Sequence, residues 1–175
     1  MRPIIILFCL LLSVGCATNK QKLSDDQAMQ RLDNIISSEN FSINSTIAIP
    51  TNSSGLSAVS NVGLLGTGNS IGNINLADNP NYIKINNTQV DISMPYYGTQ
   101  TVASYYASGS IVYKGICKGY TVKKDLRKNR YVVSFNLKHK SESLTFRIYI
   151  YSNLRTDIQL QSSHRSPIQY RGMVI

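Results

Sequence analysis

The sequence predicts an all-β domain, a single antiparallel up-and-down meander closing into a small barrel behind one N-terminal amphipathic helix, with a two-sheet β-sandwich as the alternative. Three observations predict it. From Phe41 onward apolar residues recur with period two instead of 3.6. The links between these alternating runs are short and rich in turn residues, so neighbouring strands pair as hairpins. The composition, with 11 Tyr, no Trp, 9 acidic residues and much Ser, Asn, Thr and Ile, suits strands and turns better than helices.

Residues 1–15 read as an export signal: Arg2, an apolar run from Ile4 to Leu12, then small residues. Ser13 and Gly15 interrupt it well short of the ~20 apolar residues a spanning helix needs. Ser13-Val14-Gly15-Cys16 resembles a bacterial lipobox, although the usual Leu stands one place early, at Leu12. Cys16 is therefore the expected lipidation site, and ordinary cleavage after Ala17 is the alternative. Acyl chains of this kind, palmitate among them, hold a chain on a bilayer at ~0.8 kcal/mol per buried CH₂. Ala17 carries no Asp-type retention signal and no acidic run follows, so the expected location is the outer membrane, facing the periplasm. Residues 16–23 form a lipidated polar tether, and 24–175 one domain. Cys9 leaves with the signal and Cys16 takes the lipid, so Cys117 has no partner for a disulfide and reads as a small buried hydrophobe in a strand.

The helix spans about 24–39. Ser24 and Gln27 have capping-box spacing, Asp25 and Asp26 favour a helix start, and Ala28, Met29, Leu32, Ile35 and Ile36 form one stripe that suits packing on the core. Phe41, Ile43, Ser45, Ile47 and Ile49 then share a strand face that Pro50 closes. Residues 51–73, rich in Ser, Asn and Gly, read as a long loop. Gly63 and Gly68 have phosphate-loop spacing, but Asn69 stands where the lysine belongs, which argues against nucleotide binding.

The second half reads as hairpins. "YIKI" and "TQVDISMP" precede an aromatic loop from Tyr96 to Tyr106, and "RYVVSFNLK", "SLTFRIYIY" and "RTDIQLQS" alternate around turns at 125–130, 139–142 and 152–153. In the terminal "RSPIQYRGMVI", Pro167 suits a strand start or bend and Gly172 a bulge or close approach. A meander that closes pairs this last strand with the first.

These residues also carry a resemblance. Asn79-Pro80, Pro95-Tyr96-Tyr97-Gly98, Lys118-Gly119-Tyr120, Arg165-Ser166-Pro167 and Tyr170-Arg171-Gly172 resemble the domain of unknown function 4251 family of envelope lipoproteins from Bacteroidota, over about Phe41 to Gly172. The resemblance implies a lipocalin-like barrel on an exported chain and supplies no reaction, ligand, cofactor or catalytic residue. Within it Asn79, Pro80, Pro95, Tyr96, Gly98, Arg165, Pro167, Tyr170 and Gly172 read as structural. The 51–73 stretch looks longer than the family's connection between its first two strands.

Chemistry is poorly served. His139 and His164 sit in a charged hairpin and beside a Pro bend, no G-x-S-x-G elbow occurs, and the acids stand singly apart from Asp25-Asp26. The two histidines and one cysteine match no metal spacing. No enzyme, metal site or cofactor is expected. Charge is the remaining pointer: subtracting Arg2 from 18 basic residues leaves 17 against 9 acidic, about +8. Nine basic residues lie between Lys114 and Lys140 with only Asp125 opposing them. Lys114, Lys118, Lys123, Lys124, Arg127, Lys128 and Arg130 are the candidate anion-contact patch, or else a solvated face. Export argues against nucleic acid and for anionic lipid, acidic glycan or a small ligand. The expected protein is a non-enzymatic envelope lipoprotein whose barrel binds a ligand or another envelope component. The alternative is an accessory lipoprotein with a side-chain-filled barrel, and a hydrolase is the remote one.

Overall fold

The computed structural model describes residues 25–51, 69–70, 72–102 and 109–175. The signal, Cys16, the tether, and most of both the 51–73 loop and the second half of the aromatic loop lie outside the described residues.

Helix α1 (Asp25–Ser37) begins with Asp25 and Asp26, whose charges complement its N-terminal dipole, and buries Leu32 and Ile36. The strands are β1 (Asn40–Pro50), β2 (Ile74–Asn75), β3 (Tyr82–Asn86), β4 (Gln89–Pro95), β5 (Ser110–Ile116), β6 (Lys118–Asp125), β7 (Arg130–His139), β8 (Glu142–Tyr151), β9 (Arg155–Ser162) and β10 (Ile168–Val174). Their hydrogen-bonded order is β5-β4-β3-β1-β10-β9-β8-β7-β6, with the short β2 beside β1. The first strand pairs with the last: Ile43 lies opposite Val174 and Pro50 opposite Ile168, antiparallel throughout. One nearly closed, barrel-shaped sheet therefore replaces the sandwich alternative. The two-residue β2 follows directly on the stretch read as a loop and is too short to leave a period-two signal.

The two ends of the ladder, β5 and β6, are joined by the single residue Cys117. Gly115 and Gly119 flank it, and Gly119 has φ +61°, a conformation that disfavours a side chain. The chain thus leaves its pairing with β4 and enters its pairing with β7 at one corner, as strands do where barrels turn. The Cys117 amide donates to the Thr88 carbonyl at 2.8 Å, and its thiol, buried as expected, has its pKa raised by desolvation. It sits between strands, not within one.

Inward side chains form the core of the barrel. Phe135 and Phe146 stack with ring centroids 5.0 Å apart. Around them Ile43, Ile85, Ile92, Met94, Val133, Ile148, Ile150, Ile158 and Tyr170 are wholly shielded from solvent. The outward positions of the same strands are mainly polar, the period-two pattern that places the core, but in β1 the register shift between Ser45 and Ile47 turns Ala48 and Pro50 inward in place of the expected Ile47 and Ile49.

Strand directions put α1 across one end of the barrel, beside the start of β1, the end of β6 and the start of β7. There Asp33 accepts from Lys124 Nζ at 2.7 Å and from the Tyr131 hydroxyl at 2.8 Å.

Candidate functional site

The residues carrying the family resemblance gather mainly at the opposite end and along β1. Arg165 Nε donates to Glu142 Oε1 at 2.9 Å and its Nη2 to Oε2 at 3.3 Å, a two-pronged pair in which both side chains are about nine-tenths buried. The Arg165 guanidinium also stands 5.1 Å from the Tyr96 ring centroid. The Tyr96 hydroxyl lies 2.8 Å from the Ser166 carbonyl and 3.0 Å from Ser166 Oγ, which accepts the Thr99 amide at 2.9 Å. Burial, the largest influence, raises the Tyr96 pKa, so the phenol stays protonated and can donate. Gly98 packs against it: a Cβ there would stand 2.7 Å from Ser166 Oγ and closer still to the phenol. The buried Tyr170 hydroxyl donates to the Pro95 carbonyl at 2.8 Å. Pro167 directly precedes β10, where an absent N–H costs no ladder bond.

A second motif locks β1. Its register shifts between Ser45 and Ile47, opposite Gly172. A Cβ on Gly172 would lie 2.7 Å from the Ser45 Cα, so the close approach expected from the sequence is present. The bulge is held by Asn81, a residue the sequence pattern does not single out. Its Oδ1 accepts the Ser45 amide at 2.8 Å and its Nδ2 donates to the Ser45 and Asn79 carbonyls, both at 2.9 Å. Asn79-Pro80 forms the preceding turn, in which the Asn79 amide donates to the Leu76 carbonyl at 3.0 Å. The hydrogen bonds just described fasten strand ends, while among the described residues the buried hydroxyls of Ser45, Tyr120 and Thr156 meet no hydrogen-bond partner.

Of the seven basic candidates, three are engaged. Lys114 pairs with Asp91 at 3.4 Å, Lys124 with Asp33 at 2.7 Å, and Arg130 with Asp125 at 3.1 Å. Arg130 also lies 4.3 Å from the Tyr149 ring centroid. Lys124 thus leaves the patch: its side chain runs to α1 beside Tyr131, where it ties helix to sheet. Lys118, Lys123, Arg127 and Lys128 stand in solvent. Lys123 shares a shallow outer groove with Thr121, Ser134, Tyr149 and Arg147. Arg147, outside the candidate set, is legible in the outward alternation of "SLTFRIYIY".

His164 lies 2.6 Å through Nδ1 from Ser163 Oγ, which already accepts the Ser143 amide at 3.0 Å. His139 meets Tyr113 edge-on, centroids 6.2 Å apart. Among the described residues no three His, Cys, Asp or Glu side chains form a metal-holding group.

The sequence model of the domain of unknown function DUF4251 matches residues 23–174. The chain belongs to the DUF4251 family. A crystal structure of a DUF4251 family protein from Bacteroides eggerthii DSM 20697 is similar at 8% identity with a TM-score of 0.56, covering 85% of this chain and 87% of that one. At that identity the likeness concerns the fold, and the barrel of this DUF4251 domain is the shared feature. No curated protein matches the chain.

Proposed function

We propose that this DUF4251 protein is a non-enzymatic lipoprotein of the bacterial cell envelope, anchored through Cys16, whose barrel is a filled scaffold acting through its outside. One observation carries the choice between a lumen ligand and a filled scaffold. Side chains from strands all round the barrel (Ile43, Ile85, Ile92, Ile148 and Ile158) have no solvent-accessible surface, so there is no room for a water molecule beside them. A ligand pocket instead needs a concavity of several hundred cubic ångströms among such residues. The matched polar groups at the far end support a structural role for the family residues in the same way. The order of apolar run, small residues and cysteine supports the anchor at Cys16, and the basic excess supports an anionic neighbour.

Two measurements test this. Cells fed labelled fatty acid should label the wild-type protein and not Cys16→Ser; equal labelling removes the anchor. The purified protein should leave a lipophilic fluorophore such as a naphthylamine sulfonate unbound, and saturable one-to-one binding inside the barrel would reinstate the lumen ligand.

A further inference from the structure

We infer that the helix end of the barrel is a docking face for an anionic phospholipid bilayer, an inference that rests on the anchored reading above. Among the described residues the two most exposed large apolar side chains are Ile175 (76%) and Leu126 (74%). Both stand at this end. Leu126 opens the 3₁₀ turn Leu126–Lys128 between β6 and β7. Ile175 follows β10 and shares a hollow with Arg31 of α1 and Leu154 of the β8–β9 turn. Lys128 and Arg155 line the neighbouring groove, so the two turns and the helix make one continuous surface.

Its charge complements an anionic headgroup layer. Arg31, Arg127, Lys128 and Arg155 are exposed around the two apolar tips. Asp33 and Asp125, the nearest acids, are already held by Lys124 and Arg130. Asp25, Asp26, Glu39 and the carboxylate on Ile175 remain as counter-charge, the first two on the helix N-terminus, whose dipole offsets part of it. Apolar tips ringed by cations are how proteins sit at a bilayer boundary, the tip in the acyl margin and the cations among the phosphates. Covalent geometry aligns the anchor with this face. Asp25 lies nine residues beyond Cys16, at most ~30 Å of extended chain. The salt bridge and hydrogen bond to Asp33 hold that helix on this end of the barrel. The anchor therefore delivers the helix end to the membrane first.

The chain has no Trp, so Leu126→Trp introduces a unique fluorescent reporter. The full-length variant, extracted from membranes and reconstituted in phosphatidylcholine vesicles with or without phosphatidylglycerol, should show blue-shifted emission and quenching by brominated lipid only with phosphatidylglycerol, reversed by high salt. Adding Arg127→Gln and Lys128→Gln should shift the docked-to-free ratio about 30-fold towards free, at ~1 kcal/mol per cation, while Lys138→Gln, near the other end of β7, should change nothing. Water-like emission in both vesicles, equal burial in neutral vesicles, or binding to a soluble anionic glycan with the introduced indole still quenchable from water would each overturn the docking. Fatty-acid labelling separates the two readings. A labelled protein whose indole stays in water keeps the anchor and loses the docking, and an unlabelled one that still docks does the reverse.

Discussion

Single residues decide where this barrel is stiff. Gly172 has no room for a methyl, since the β1 backbone at Asn44 and Ser45 occupies that space. Gly172→Ala must push two paired strands apart, and overpacking of this kind costs about 1–3 kcal/mol. Chemical denaturation should give a lower midpoint at an unchanged slope. Asn81→Ala acts differently: it strips the Ser45 amide of its acceptor inside the core, worth about 1–3 kcal/mol for each buried group left unmet. Hydrogen exchange at Ser45 should quicken more than at Ile148. If Asn81→Ala unfolds at the wild-type denaturant midpoint, the bulge is held by β10 alone. Gly172 was legible because a glycine inside an alternating strand weakens it unless a bulge or a close backbone approach requires one. Asn81 was not, because asparagines are abundant in this chain and only the folded register shows which one faces a bulge.

Elements are joined by a smaller number of ties. The α1 stripe was legible from its spacing, and Leu32 and Ile36 are buried accordingly. Its polar anchor was not, because Asp33 and Lys124 lie 91 residues apart in sequence. The Asp33 carboxyl is held below its ordinary value of 3.8, chiefly by the hydrogen bond from Lys124 and also by that from Tyr131, against an opposing effect of burial. A depressed folded value means the tie is fully present above about 3.8 and is lost as pH falls through the lower folded value. Lys124 is raised above 10.5, so its contribution is present below that and lost as pH rises through its folded value. Asp33→Asn should accordingly quicken amide exchange from Met29 to Ile36 at neutral pH and leave β7 and β8 unchanged. The difference between variant and wild type should vanish on acidification. A difference that persisted in acid would assign the effect to packing instead. The same distance in sequence explains why Lys124 looks like part of a solvated patch: the run Lys123-Lys124-Asp125 is uniformly polar, and only the folded helix places a carboxylate against one of its lysines.

At the scale of the whole molecule, closure was legible and its location was only half so. Pairing of the first strand with the last followed from counting alternating runs, and the register from Ile43 to Pro50 against β10 bears it out. The corner at Cys117 gave no comparable signal, since a single residue separates β5 from β6 and the nearby glycines, Gly115 and Gly119, lie inside the strands instead of forming a turn. Closure predicts how the chain fails. Ending it after Ser166 removes β10, which leaves β1 unpaired along Ile43–Pro50 and β9 unpaired along Arg155–Leu160. It also takes Ile168, Tyr170 and Val174 from the core, all at most 7% exposed. At about 1.5–3 kcal/mol for each buried side chain, the loss is roughly 5–9 kcal/mol. That is comparable to the whole stability of an ordinary domain, roughly 5–15 kcal/mol, before the two open edges and the orphaned Pro95 carbonyl are counted. The truncated protein should lack a cooperative melting transition and elute as aggregate, whereas deleting residues 17–23 should leave the transition temperature of the domain unchanged. A monomeric truncated protein with an undiminished transition would mean that β1 and β9 stand as stable free edges, and β10 would then be a detachable strand instead of the one that closes the sheet.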